Sequence, residues 1–234
     1  MRTNRHTAET IYAEVRKIHK QLWAEHRVLI DNNVIDPLWL FNPKLVAQSL
    51  GFECDIVSDL GKHTTNNAVF ETAGVLDRRG ARILVSAKFS VPSQRFTAAH
   101  EIGHLVLHPN EVMHRDRAID APSTSNLRQS SQEREADQFA SMLLMPDRLV
   151  AQRVQQAFGR APFVLDDITA QMLTPDDADG LLDARRHPLA RAHTLASARS
   201  FGGRVFPSLA EQFGVSKMAM AIRIKELGLV AEWP

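Results

Sequence analysis

Several scarcities bound what this 234-residue chain can be. It holds one cysteine, Cys54, so no internal disulfide can form, and an unstapled protein of this size suits a reducing compartment. The thiol sits in the strand-like run "FECDIV", where it reads as a small buried hydrophobe rather than a reactive group. Nowhere do about 18 apolar residues run together, so no membrane span is expected. Charge of one sign is also missing: 28 Lys and Arg against 27 Asp and Glu leave a formal +1. Such a balance gives no overall attraction to nucleic acid or acidic lipid, and any basic patch must be local. The N-terminal "MRTNRHTAETIYAEVRKIHKQLW" lacks the apolar stretch of a secretory signal, and Glu9 and Glu14 argue against a transit peptide. The expected location is the cytoplasm.

What remains is an ordinary globular composition, 44% hydrophobic and 24% charged. It is long enough for one domain with an appendage or for two small domains. Ile11, Val15, Ile18 and Leu22 recur at helical steps and predict an amphipathic helix after Thr7. In "NPKLVAQSLG", Asn42 caps a short helix, Pro43 takes its first position and Gly51 lies past its end. Three strands are then expected, in "FECDIV", "AVFETAGVLD" and "ARILVSAKF", the last two forming a hairpin through Arg78, Arg79 and Gly80. Ser93 is the expected cap of a helix over residues 94–107, and residues 109–131 read as a long polar loop. The helix in "SQEREADQFASMLLMP" ends at Pro146. The lysine- and arginine-free acidic run of residues 165–183 reads as a solvated irregular segment, and residues 209–230 are again helical.

The chemistry concentrates in "AAHEIGHLVLHP", residues 98–109. Residues i and i+4 share a helix face, so His100 and His104 point the same way and their imidazoles can converge on one ion. Glu101 sits one step round, close enough to address a metal-bound water. Ala98, Ile102, Leu105 and Val106 supply the apolar face that anchors the helix. Gly103 costs about 1 kcal/mol against alanine in a helix, and close approach of another backbone, or of substrate, would repay it. This is the H-E-x-x-H pattern of zinc peptidases. The alternatives are a chance match among ten histidines or a solvated histidine-rich face, and the apolar flanks oppose the second. His108, a further i+4, extends the face as a fourth nitrogen or substrate contact, or caps the helix end before Pro109.

A catalytic zinc takes three protein ligands plus water. In "QEREADQFASMLLMP" the stripe Ala136, Phe139, Ala140, Leu143 and Leu144 anchors a second helix. Glu133 and Asp137 are i and i+4 on one face, suited to a ligand and a carboxylate that accepts an imidazole N–H. Glu135 lies about 200° round the helix from Glu133, so both cannot face one ion, and Glu133 is preferred.

"RFTAAHEIGHLVLH" followed by "EREADQFASMLLMP" resembles the ImmA/IrrE metallopeptidases, with both motifs in order and in spacing. "AGVLDRRGARILVSAKF" resembles the hairpin that precedes the first motif, and "LAEQFGVSKMAMAIRIKELGLV" the family's C-terminal segment. The resemblance implies an α+β fold: a zincin-like core, with a small antiparallel sheet and active-site helices, over residues 1–150. A connecting segment over 151–200 and a helix-turn-helix-like subdomain over 201–234 would follow. It implies a metal held by His100, His104 and Glu133, with Glu101 as base and Asp137 behind the ligands. It also implies a protein substrate, a bacterial helix-turn-helix repressor encoded nearby whose cleavage releases stress-response or mobile-element genes. Zn²⁺ is the expected ion, and Mn²⁺ or Fe²⁺ suit the same ligands. No oxyanion donor carries over, because the single tyrosine, Tyr12, lies in the N-terminal helix; His108, His114 and Arg117 are the nearby candidates. The hairpin offers a strand edge for an extended peptide.

The tail reads as helix, turn at Gly214, and a second helix capped by Ser216, which fits a helix-turn-helix. Lys217, Arg223 and Lys225 would be its basic residues, with Arg191, Arg199 and Arg204 upstream. That footprint is thin for a DNA reader and favours a helical subdomain docked on the protease. The rival to a peptidase is a metal-binding regulator of DNA or protein contacts without proteolysis; Glu101 favours the peptidase, since a purely structural metal needs no base.

Overall fold

The computed structural model describes residues 6–29, 36–65, 68–109, 113–117, 130–183 and 188–232. The chain divides into two compact units, Met1–Leu144 and Met145–Pro234. The first runs α1 (Ala8–Leu29), α2 (Pro37–Leu40), α3 (Pro43–Ser49), β1 (Glu53–Val57), β2 (Lys62–Thr65), β3 (Ala68–Asp77), β4 (Arg82–Ser86), α4 (Val91–Leu107), β5 (Met113–Arg117) and α5 (Ser131–Leu144). The second runs α6 (Asp147–Phe158), β6 (Phe163–Leu165), α7 (Asp167–Leu173), α8 (Ala178–Asp183), α9 (Pro188–Ser197), β7 (Ser200–Phe201), β8 (Arg204–Val205), α10 (Leu209–Phe213), α11 (Lys217–Glu226) and β9 (Val230–Glu232). The fold is α+β, as the motifs implied. No helix among the described residues is long and apolar enough to cross a membrane.

In the first unit the helical spacing of α1 becomes burial: Ile11, Val15, Ile18 and Leu22 are each at most 5% exposed. His19 on the same helix donates from Nε2 to Leu143 O at 3.0 Å, tying α1 to the end of α5. Asn42 accepts from Lys44 N at 3.1 Å and starts α3 with Pro43 in its first turn. The sheet has the order β1-β4-β3-β2, with β5 also on β3. All its pairs are antiparallel except β1 with β4, so the sheet is mixed rather than wholly antiparallel. A parallel pair needs a long crossover, which the β2–β3 excursion supplies. The β3–β4 turn is made by Asp77, whose Oδ1 accepts from Arg79 N and Gly80 N at 3.1 and 3.0 Å.

Three expectations change. Ser90, not Ser93, caps α4: its hydroxyl accepts from Ser93 N, and Pro92 fits in the first turn, where no N–H is required. The stretch read as a loop over 109–131 contains β5, paired with β3 from Met113 to Arg117; residues 110–112 and 118–129 lie outside those described. The acidic run of 165–183 holds two short helices, α7 and α8, because its aspartates start helices. Asp166 caps α7 in a capping box with Thr169, Asp167 lies in that helix's first turn and Asp179 in that of α8. The short β2 was not anticipated, four residues being too few for a readable alternation.

The second unit is organised around Phe158, Phe163, Phe201 and Phe206, whose rings meet edge to face at centroid distances of 5.3 to 5.7 Å. Parallel pairing of β6 with β9 brings residues 163–165 to the chain's last strand. Ser208 caps α10, Gly214 turns with φ +62°, and Ser216 caps α11. The helix–turn–helix order is therefore present. Its basic residues are largely committed elsewhere. Arg191 and Arg223 are buried, at 2% and 4% exposure. Arg223 donates from Nε to Met145 O at 3.1 Å and pairs with Asp147 and Glu226. Arg199 pairs with Glu211, and Arg204 donates to Ala157 O at 2.9 Å. On α11, Lys217 and Lys225 stay exposed. A footprint already thin in the sequence is thinner in the fold.

Candidate metal centre

The centre is built by α4, which packs on β3, β4 and α5. Ala98, Ala99, Ile102 and Leu107 are buried and hold α4 in place, while Leu105 and Val106 are partly exposed. The rigid partner is α5, whose Ala136, Phe139, Ala140, Leu143 and Leu144 are all at 0% exposure. Burying each of the larger of these side chains contributes about 1.5–3 kcal/mol. Gly103 decides how close the helices come: a Cβ there would lie 3.0 Å from Ala136 Cα and 3.1 Å from Ala136 O. The approach foreseen at this glycine is made by α5.

That approach brings three ligand atoms together. His100, His104 and Glu133 each offer one atom, all within 4.8 Å of one another. His100 Nε2 lies 3.0 Å from His104 Nε2 and 3.3 Å from Glu133 Oε2, and His104 Nε2 lies 3.6 Å from Glu133 Oε1. Ligand atoms around a tetrahedral ion with bonds of about 2.0–2.1 Å stand about 3.3 Å apart. The donors are thus spaced as such an ion needs them, and two imidazole nitrogens with a carboxylate so close call for a cation or proton among them. Both histidines are at most 1% exposed, while the Glu133 side chain is 26% exposed, so the cluster opens on the Glu133 side.

Behind the ligands, His100 Nδ1–H donates to Asp137 Oδ1 at 2.8 Å, which leaves Nε2 with its lone pair toward Glu133. Asp137 and Glu133 act from one face of α5, at i and i+4. Glu101 is completely buried and abuts β3: a Cβ on Gly74 would come within 2.6 Å of Glu101 Oε1. His108 lies elsewhere. It is 6% exposed, its Nδ1 is 3.0 Å from His104 Nδ1, on the side away from the converging Nε2 atoms, and its backbone N–H caps α4 on His104 O. His114 and Arg117 are in β5, opposite Leu76 and Thr72 of β3; their side chains lie outside the described residues. Tyr12 is on α1 and 41% exposed.

Two residues of the centre went unread in the sequence. Gly74 leaves room for the Glu101 carboxylate at an irregularity of β3; a lone glycine inside a strand pattern signals such close approach. Arg78, in the hairpin turn, donates to Leu105 O, His104 O and His108 O at 3.2, 2.7 and 2.9 Å, taking up the carbonyls at the end of α4. No local pattern could pair it with a helix end 27 residues away.

A His-Glu-x-x-His helix laid on a small sheet, with a carboxylate supplied by the next helix, defines a metallopeptidase-type domain. Residues 56–159 match the Peptidase_M78 family, described as the IrrE N-terminal-like domain, and this segment carries both motifs on which the resemblance to the ImmA/IrrE metallopeptidases rests. The chain is also similar to an uncharacterized immunity region protein 2 of Bacillus phage phi105. The two are 29% identical over 109 residues, covering 46% of this chain and 61% of the phage protein.

Proposed function

We propose that this protein is a zinc-dependent endopeptidase that cleaves a bacterial transcriptional repressor of the helix-turn-helix type. The observation carrying the reading is the convergence of His100, His104 and Glu133 beside a buried Glu101 on the same helical turn. A structural metal needs no such carboxylate. Zinc held there would lower the pKa of a bound water to about 7 and polarise the scissile carbonyl. The protein's own residues do the rest. Asp137 holds the His100 ring so that Nε2 faces the site. The Glu101 carboxylate takes the proton of the attacking water and returns it to the leaving amine, a general-base role worth about 10²–10⁴ in rate. Beside α4 lies β5, which among the described residues pairs only with β3 and so offers an edge to an extended peptide. The repressor as substrate is supported by the family match and by the relative from a phage immunity region. A repressor substrate implies a cytoplasmic protein.

The test is incubation of the zinc-loaded protein with the helix-turn-helix repressor encoded beside it, reading fragments by mass spectrometry. Wild type is expected to cut, Glu101→Gln to keep its zinc without cutting, and Glu133→Ala to lose both. If wild type leaves every neighbouring repressor whole while shifting DNA in a gel, the peptidase reading fails and the regulator reading takes its place.

A further inference from the structure

Glu135 and His108 are both buried, at 7% and 6% exposure, and neither belongs to the three converging ligands. They are joined to one of them. Glu135 Oε2 lies 3.2 Å from His108 Nε2, and His108 Nδ1 lies 3.0 Å from His104 Nδ1. The three side chains form a line: carboxylate, imidazole, imidazole.

The chemistry of the end group orients the line. An ionised carboxylate only accepts, so the hydrogen on the first contact is on His108 Nε2. A His104 that ligates a metal through Nε2 cannot accept at Nδ1 from an imidazolium and also carry a hydrogen on Nε2, so His108 has its lone pair on Nδ1 and accepts at the second contact. The hydrogen there must be on His104 Nδ1, which leaves the lone pair of His104 on Nε2, the atom that faces His100 and Glu133. We infer that Glu135, acting through His108, is a positioning device that holds His104 in the tautomer and ring orientation required of an Nε2 metal ligand. It does for His104 what Asp137 does directly for His100.

The arrangement also explains the spacing of the two glutamates on α5. Glu133 and Glu135 point to different sides of the helix, and both address His104, one at Nε2 and the other, through His108, at Nδ1. Arg78 fixes the backbone end of the device, since it binds the carbonyls of both His104 and His108. Histidine ligands commonly give their second nitrogen to a carboxylate or carbonyl, and losing such a partner costs about 10–100-fold in metal affinity. A second imidazole between ligand and carboxylate lengthens that connection by one residue.

The inference rests on the metal-site reading above, so its test must separate the two. The zinc dissociation constant of the full-length protein is measured by competition with a chromophoric chelator. His108→Leu and Glu135→Ala are each expected to weaken zinc binding by about 10–100-fold. Glu135→Gln keeps an amide oxygen that accepts from His108 Nε2–H, and should recover most of the loss. Glu135→Met, of similar volume but without an acceptor for His108 Nε2–H, should not recover it, whereas a residue that served only for packing would be rescued by methionine as well as by glutamine. The double variant His108→Leu/Glu135→Ala should bind no more weakly than His108→Leu, because both substitutions break one line. Wild-type affinity in Glu135→Ala, or equal weakness of Glu135→Ala and Glu135→Gln, overturns the proposal while Glu133→Ala still abolishes binding. Wild-type affinity in Glu133→Ala overturns the metal-site reading itself, and this inference with it. The Glu135 pair carries the test if His108→Leu does not fold.

Discussion

Gly103→Ala adds one methyl group at the closest approach of α4 and α5, and two effects of opposite sign meet there. Alanine is the better helix former by about 1 kcal/mol. Against that, the new Cβ would lie 3.0 Å from Ala136 Cα and 3.1 Å from Ala136 O, where ordinary contact begins at 3.4 Å. Both atoms are backbone, so no rotamer change relieves the contact and the helices must part by a few tenths of an ångström. Overpacking of this kind costs about 1–3 kcal/mol, which outweighs the gain. We expect a net loss of about 1 kcal/mol, seen as a drop of about 2–4 °C in the melting temperature of the zinc-free protein. The displacement has a second consequence. Glu133 is on α5 one turn before Ala136, and metal–ligand distances tolerate about 0.2 Å. Zinc affinity measured by chelator competition should therefore fall as well. Ala136→Gly should not rescue either property, because the contacts are with the Cα and carbonyl of residue 136 and not only its methyl. A Gly103→Ala protein that melts higher than wild type and binds zinc as tightly would refute the reasoning.

Three further outcomes follow from the rest of the molecule. Arg199 beside Glu211, with the Ser208 N–H and hydroxyl, draws the Glu211 carboxyl from 4.5 down to about 2. The unfolded chain therefore binds the proton more readily. The stability Glu211 contributes is present above about pH 4.5 and lost as pH falls toward 2, so urea melts of wild type and Glu211→Gln should differ at pH 6 and converge near pH 2. Arg223→Ala should destabilise the second unit by about 2 kcal/mol by circular dichroism, since it empties a buried site and removes the donor to the carbonyl of Met145, a residue at 0% exposure. Lys225→Ala, on the same helix but exposed, should be close to neutral. Burial pushes the Cys54 thiol up to about 11, so the native protein should resist alkylation at pH 8 and react fully once unfolded in urea.

Periodic and capped features were the legible ones. The i+4 step placed His100 and His104 on one face, and the same step made Glu133 and Asp137 a pair on α5, which the fold brings to the two histidines. The stripes of α1 and α5 are core in fact. Cap chemistry was readable at Asn42 and Ser216 but misplaced at α4, where Ser90 and Ser93 both suit the position and Pro92 decides for the earlier one. The acidic run misled because aspartate is as much a helix-start residue as a solvating one. Arg223 looked like a groove-reading base because spacing along a helix does not say which face is buried.

The sequence by itself determined the helix that bears the histidines, the second helix that bears the carboxylates, and the chemistry that these residue types can perform. Those are local properties, set by 3.6-residue periodicity and side-chain type. Tertiary structure decided everything that depends on distance across the chain. It put Ala136 against Gly103, so that Glu133 reaches the histidines. It set Gly74 beside Glu101 and Arg78 on the end of α4. It also gave the third histidine of the opening motif its place: His108 stands behind His104, between that ring and Glu135. Which nitrogen of an imidazole faces which partner is written in no spacing; it follows only from where the packed helices leave an acceptor.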